Sequence, residues 1–379
     1  MLKDCLAGFR ILDLSQYLPG PLATRMLADM GADVLKVEPP AGDPVRRVPP
    51  LDDHGNGVFH GLLNRGKTLT SLDLKSGDGR VRMDALVARA DVLFDTFRPG
   101  VLTRLGYDPA RLRTINPRLI HCSLTGYGRG GPRSQAAGHD LNYVAGVGGL
   151  ALMGNAEGPG HPWPPLADHA AATQAALTVV GHAMRRERTG QGASIDIAIA
   201  DCYLAWQERG LTAACLGLPG QGREAGRLNG GSACYRIYAT ADGGFVTLAA
   251  LEERFWSNFC TAVGRPDWIS RQAEPLPQTA LIAEVAALFQ SAPRAHWEQL
   301  LGAVDCCFQP VLDHAEVLAD PQIAARGLAG APEDDADIVE VRYPAWVDDT
   351  PPPPRPAMIE VSAADAVARW QPRSSDRAD

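Results

Sequence analysis

The chain has 379 residues, 45% of them hydrophobic and 21% charged, with a formal net charge of −8. That length exceeds one ordinary core and makes two domains the expectation. The acidic balance argues against a nucleic-acid protein, whose footprint is broadly basic, and no apolar run reaches the length a membrane span needs.

Apolar runs over 9–14, 33–37, 68–73, 92–95 and 119–123 read as strands. Helical patterns over 21–30, with Pro21 at the start and Gly31 just past the end, and over 78–89 lie between them. Such alternation predicts a Rossmann-like parallel sheet covered on both faces. A long helix over 168–188 follows, with Arg185, Arg186 and Arg188 in its last turns and Gly190 beyond, which suits the negative end of a helix. A strand over 193–197 and a helix to about 216 come next, then a Gly- and Leu-rich linker over 217–231. The pattern then changes to a hairpin, 234–238 and 245–248, turning at Asp242–Gly243. Helices over 252–263 and 281–290 complete it. The predicted α/β organisation is a large domain over 1–224, a smaller α+β domain over 225–325, and a C-terminal segment over 326–379 that returns to the large domain. Pro351–Pro354 in that segment reads as a stiff extended stretch.

None of the eight cysteines forms a C-x-x-C pair or stands with histidines at zinc spacing. Reduced thiols and no structural metal are expected. Met1–Cys5 carries no hydrophobic signal core and Arg377–Asp379 is no peroxisomal address, so the expected compartment is the cytoplasm.

Two residues stand out chemically. His139 lies in Gly138-His139-Asp140, and Asp168 opens the long Ala-rich helix. Facing each other across a small substrate, one could remove a proton while the other returns it. Each also has a plain reading: a loop or cap histidine, and a helix N-cap aspartate. Gly126–Gly131 follows a strand but lacks G-x-G-x-x-G spacing, which reads as a loop over a site or a surface turn, not a dinucleotide fingerprint. Lys36, Lys67 and Arg98 fall at or just past strand ends and, as a set, could hold phosphates.

Several multi-residue motifs then occur in one order. They are Leu12-Asp13-Leu14-Ser15-Gln16, Gly20-Pro21, the run from Leu27 to Glu38, Asn64-Arg65-Gly66-Lys67, Phe97-Arg98-Pro99-Gly100 and the run from Arg186 to Gly192. Over about residues 8–270 the chain resembles the class III CoA-transferase (CaiB/BaiF) family, which includes formyl-CoA transferase, carnitine CoA-transferase and the α-methylacyl-CoA racemases. The resemblance implies an acyl-CoA thioester as substrate, coenzyme A entering as part of it with no tightly bound cofactor. It also implies an interlocked homodimer. On that pattern Lys36, Lys67 and Arg98, with Ser71, Leu72 and Asp73, line the CoA site. The catalytic Asp of the family matches Asp168. Racemases add a His in a Gly-His-Asp segment, matching His139, and a Glu after the small-domain hairpin, matching Glu252. Two features depart from the racemase pattern: Asp168 is followed by His169-Ala170-Ala171-Ala172 instead of a Gly-rich run, and Ser15-Gln16 looks more like the transferases.

The first expectation is racemisation or epimerisation of a 2-methylacyl-CoA by 1,1-proton transfer. Neutral His139 takes the α-proton on one face, protonated Asp168 returns it on the other, and Glu252 orients the imidazole. Backbone N–H groups at the helix start near Asp168 and in the Gly-rich segments would stabilise the enolate oxygen. The alternative is a CoA-transferase in which Asp168 attacks the thioester and carries CoA to a carboxylic acid. A nonenzymatic CoA-binding scaffold is the third reading. Leu150–Met153 and Trp163 could line an acyl channel or simply pack.

Overall fold

The computed structural model describes residues 2–218 and 222–370. Part of the predicted linker (219–221), Met1 and the C-terminal tripeptide lie outside the described residues.

Two compact units emerge from the chain. The larger contains 1–144, 164–206 and 321–379; the smaller contains 145–163 and 207–320. The smaller unit therefore starts earlier than the hairpin at which the change of pattern is visible, and it also takes in a segment from before the long helix.

The larger unit is built on short strands of aliphatic residues. They are β1 (Arg10–Asp13), β2 (Asp33–Glu38), β3 (Thr68–Ser71), β4 (Val92–Asp95), β5 (Ile120–Thr125) and β6 (Ala193–Ala198). Ile11, Leu12, Leu35, Val92, Leu93 and Phe94 are fully buried, as strands covered on both faces require. Every pairing in this sheet is parallel, with Ile11 beside both Val34 and Val92. Connecting helices include α1 (Pro19–Asp29), α2 (Val58–Asn64), α3 (Gly77–Val87), α4 (Val101–Arg104), α5 (Pro109–Ile115), α6 (Asp140–Gly146), α7 (Leu166–Thr189) and α8 (Ile199–Leu204). Local chemistry starts several of them. The Ser76 hydroxyl accepts the Gly79 N–H at the start of α3, and Asp108 accepts two N–H groups at the start of α5. Helix α7 ends at Gly190, whose φ of +69° is the left-handed conformation that glycine adopts freely. Its basic end is not merely solvated: Arg186 is buried and pairs with Asp91 at 2.8 Å, just ahead of β4.

The C-terminal segment adds the edge strand. Ile359 pairs with Thr68 and Glu360 with Leu69, giving the order Ile359–Glu360, β3, β2, β1, β4, β5, β6. Arg355 grips Asp29 through two hydrogen bonds of 2.7 and 2.8 Å, and buried Trp370 donates to Asp33.

The smaller unit holds a helix, α9 (Glu208–Cys215), and a three-stranded antiparallel sheet, β7 (Tyr235–Ala239), β8 (Phe245–Ala249) and β9 (Phe308–Pro310). The hairpin pairs Tyr238 with Val246, burying both. Three helices cover it, α10 (Glu253–Ala262), α11 (Thr279–Phe289) and α12 (Arg294–Leu301). Their core is aromatic: Trp256, Phe259, Phe289 and Trp297 stack or meet edge to face. Among the described residues no helix is long and apolar enough to cross a membrane.

Candidate active site

Strand order decides where a ligand should sit. From β1 the chain runs outward through β2 to β3, then returns to β4 on the other side of β1 and continues through β5 to β6. Open parallel sheets bind ligands outside the carboxyl ends of the strands at such a reversal. A cleft of about 530 Å³ lies there, wholly within the larger unit. Gln16 and Tyr17 follow β1, Thr96, Phe97 and Arg98 follow β4, Gly126 and Tyr127 follow β5, His139 stands just ahead of α6, and Asn142, Tyr143 and Asp168 contribute from the helices.

His139 immediately precedes α6. Its backbone N–H donates to the Asn142 side chain at 3.0 Å, and its carbonyl accepts the Asn142 N–H at 2.8 Å. These reciprocal bonds fix the backbone while leaving the imidazole exposed in the cleft. Gly138 is required by its neighbour: a Cβ there would lie 2.7 Å from the Tyr143 ring. Tyr143 also donates its hydroxyl to the Gly138 carbonyl at 2.6 Å, and meets Tyr127 edge to face with centroids 5.1 Å apart. Gly126 answers to the same ring, because a Cβ there would come within 2.5 Å of the Tyr143 hydroxyl.

Asp168 stands in the first turn of α7. Its backbone N–H donates to Asp140 Oδ1 at 3.0 Å, so the Asp140 carboxylate caps α7 across 28 residues of sequence. This brings one carboxylate close to another. Burial, reinforced by the negative charge of Asp140, lifts the Asp168 pKa to about 7. The same surroundings act on Tyr143: burial, and then the charge of Asp168, raise its pKa to about 12. Near neutral pH Asp168 can therefore hold or release a proton, and it shares a cleft with an imidazole.

The Asp140–Asp168 bond corrects one expectation: the Asp168 N–H is engaged by Asp140 and is no donor to an enolate. The Gly-rich stretch divides in two. Gly126 and Tyr127 line the cleft, while Arg129 turns to Asp196 and Ser194.

The predicted phosphate ligands separate. Arg98 is exposed and lines the cleft. Lys36 and Lys67 do not reach it; their ammonium groups lie inside the protein. Lys67 Nζ donates to Asp13 at 3.2 Å, the Pro21 carbonyl at 2.9 Å, Thr24 at 2.8 Å and Asn64 at 3.0 Å. Lys36 Nζ donates to the Ser15 carbonyl at 2.7 Å and Asp43 at 3.0 Å. The sequence reading gave both charges to phosphates; the structure gives them to buried carboxylates. The physical reason is position: both side chains are buried, Lys36 on β2 and Lys67 just ahead of β3, where an ammonium group needs a countercharge. Ser71 is exposed at the end of β3, Leu72 belongs to the core, and Asp73 accepts the Lys75 N–H in a local turn. None of these three lines the cleft.

Glu252 belongs to the smaller unit, exposed at the start of α10 without a side-chain cap bond. Leu150–Met153 and Trp163 are also in that unit, and Trp163 is exposed. Sequence reasoning passed over Tyr17, Asn142 and Tyr143. Tyr143 carried a usable signal, since it follows His139 by four residues at the start of a helix.

The profile of CoA-transferase family III matches residues 6–358. The chain is 33% identical over 330 residues to the human alpha-methylacyl-CoA racemase, covering 85% of this chain and 81% of that protein. It is also 33% identical over 373 residues to the succinate–glutarate CoA-transferase of Agrobacterium fabrum, covering 92% and 91%. A crystal structure of a CAIB/BAIF family protein from Brucella suis superposes with a TM-score of 0.82 at 28% identity, covering 96% of this chain and 98% of that one. With the profile spanning nearly the whole chain, this protein is a member of CoA-transferase family III.

Proposed function

We propose that this protein racemises or epimerises a 2-methylacyl-CoA by 1,1-proton transfer. The observation that carries the reading is the cleft shared by His139 and Asp168, an imidazole together with a carboxyl whose pKa of about 7 lets it serve as an acid in one direction and a base in the other. Neutral His139 accepts the α-proton; the electron pair of the C–H bond passes into the thioester as an enolate. Asp168, entering the cycle protonated, delivers its proton to the opposite face of the same carbon. In the reverse direction the roles exchange. Backbone N–H groups of the Gly-rich stretch at Gly126 and Tyr127, which line the cleft, are the donors assigned to the enolate oxygen. Coenzyme A enters with the substrate and no other cofactor is needed. Arg98, exposed at the cleft, is the cation assigned to CoA phosphate.

The homodimer belongs to this proposal. Helix α9 buries none of its residues, and Leu211 and, just past its end, Leu216 are exposed, an apolar surface that a second copy would cover. Sedimentation of the full chain tests it.

One finding favours a second reading, CoA transfer. A racemase and a transferase are equally similar to this chain at 33% identity, and an ionised Asp168 in an open cleft could attack a thioester. Incubation with a 2-methylacyl-CoA in heavy water, without an acceptor acid, separates the two. Proton transfer incorporates deuterium at the α-carbon. No exchange, with CoA moving to an added carboxylic acid and a thioester trapped on Asp168, reverses the assignment.

A further inference from the structure

We infer that Tyr17 is a substrate-positioning wall of the cleft, held in place by the buried Lys36–Asp43 pair. Tyr17 adopts a φ of +63°, a left-handed conformation rare for a bulky residue, which functional sites retain when the surrounding structure imposes it. Its side chain is 52% exposed and lines the same cleft as His139 and Asp168. The backbone around it is bonded on every side. Ser15 N–H and hydroxyl both donate to Asp13 Oδ1, at 2.8 and 2.5 Å. Gln16 N–H donates to the Thr96 hydroxyl at 2.9 Å, tying the turn after β1 to the segment after β4.

The remaining restraint comes from β2 and the turn that follows it. Lys36 Nζ bridges the Ser15 carbonyl and Asp43 Oδ2, while Asp43 Oδ1 accepts the Tyr17 N–H at 3.3 Å. Asp43 is itself held, because its own N–H donates to Glu38 at 3.1 Å. Both charges of the pair are buried. A buried lysine and aspartate that together grip the carbonyl before Gln16 and the N–H after it prescribe one conformation for the turn. The consequence is a tyrosine ring presented to the cleft at a fixed angle. This gives Lys36 a role at the site although its ammonium group never meets the ligand: it is a positioning residue, as is Asp43.

The inference rests on the reading that the cleft takes an acyl-CoA, and its test is binding, so the type of reaction does not matter. The full chain is titrated with a 2-methylacyl-CoA. Tyr17→Ala is expected to weaken binding about tenfold and Tyr17→Phe to stay within about twofold, because the ring and not the hydroxyl forms the wall. The double variant Lys36→Met, Asp43→Leu removes both charges and leaves none unpaired. It should weaken binding about tenfold in the Tyr17 protein but less than about twofold in a Tyr17→Gly protein, where no ring remains to be misplaced. Equal losses in the two backgrounds overturn the positioning role. Unchanged affinity in Tyr17→Ala overturns the wall, and this result stands even if the double variant does not fold. Failure of the unaltered protein to bind sinks the acyl-CoA reading and this inference with it; binding without turnover sinks the racemase reading alone.

Discussion

The carboxylates at the carboxyl ends of β1 and β2 and the carboxylate at the start of α7 are all withdrawn from water, yet they are tuned in opposite directions. Burial alone would raise the Asp13 pKa, but Lys67, Lys36 and the hydroxyls of Ser15 and Thr24 outweigh it and hold the carboxyl below its usual range. Burial is likewise overcome at Glu38, where hydrogen bonds from His60 and Arg46 bring the pKa to about 2. Asp168 receives no such cation. Burial acts on it unopposed, the neighbouring carboxylate of Asp140 adds to it, and the pKa rises to about 7. The same residue type is a fixed anion in one region and a proton carrier in the other. The difference lies in whether the fold brings a cation or a second anion to it.

The largest effects expected on breaking this contrast are at the two ends of it. Asp168→Asn and His139→Ala should each lower the turnover of a 2-methylacyl-CoA by about 10²–10⁴-fold, with no loss of thermal stability in either. Lys67→Ala should do the reverse. Leaving buried Asp13 without the ammonium group that bonds to it should cost about 3–5 kcal/mol of stability by urea unfolding, well beyond any effect on chemistry in the protein that still folds.

A gentler change sharpens the comparison. Asp140→Asn keeps an oxygen to accept the Asp168 N–H but removes the like charge. The pH midpoint of catalysis assigned to Asp168 should then move below about 7. A midpoint that stays in place would assign the shift to burial alone. The smallest effect is on stability. The folded pKa of Asp168 lies above its ordinary 3.8, so the folded state holds the proton longer than the unfolded state. Its contribution is most favourable below about pH 4 and is lost as pH rises through about 7. The unfolding midpoint of Asp168→Asn should accordingly gain on the unaltered protein across that window and level off above it.

Much of the fold was legible because it is written in local pattern. The strands ending at Asp13, Glu38 and Asp95 are apolar runs bounded by polar residues, and α7 announces itself by length, basic end and Gly190. Short elements such as α2 and α6 were not found, since seven residues carry too little periodicity. At the site, His139 and Asp168 could be named from motif context. Their environment could not, because it depends on contacts between distant parts of the chain. Asp140 caps a helix 28 residues away, and Lys36 reaches the Ser15 carbonyl across 21. Nothing in the residues around Lys36 and Lys67 tells a phosphate ligand from a buried countercharge; only the position of Asp13 and Asp43 decides it.

The most direct test of the central claim treats each epimer of a 2-methylacyl-CoA separately in heavy water. With the His139→Ala protein, exchange at the α-carbon should vanish for one epimer and survive for the other, and with Asp168→Asn the surviving epimer should be the opposite one. Two bases on opposite faces of one carbon predict that crossed pattern. Loss of both exchanges in Asp168→Asn with neither affected in His139→Ala would contradict it.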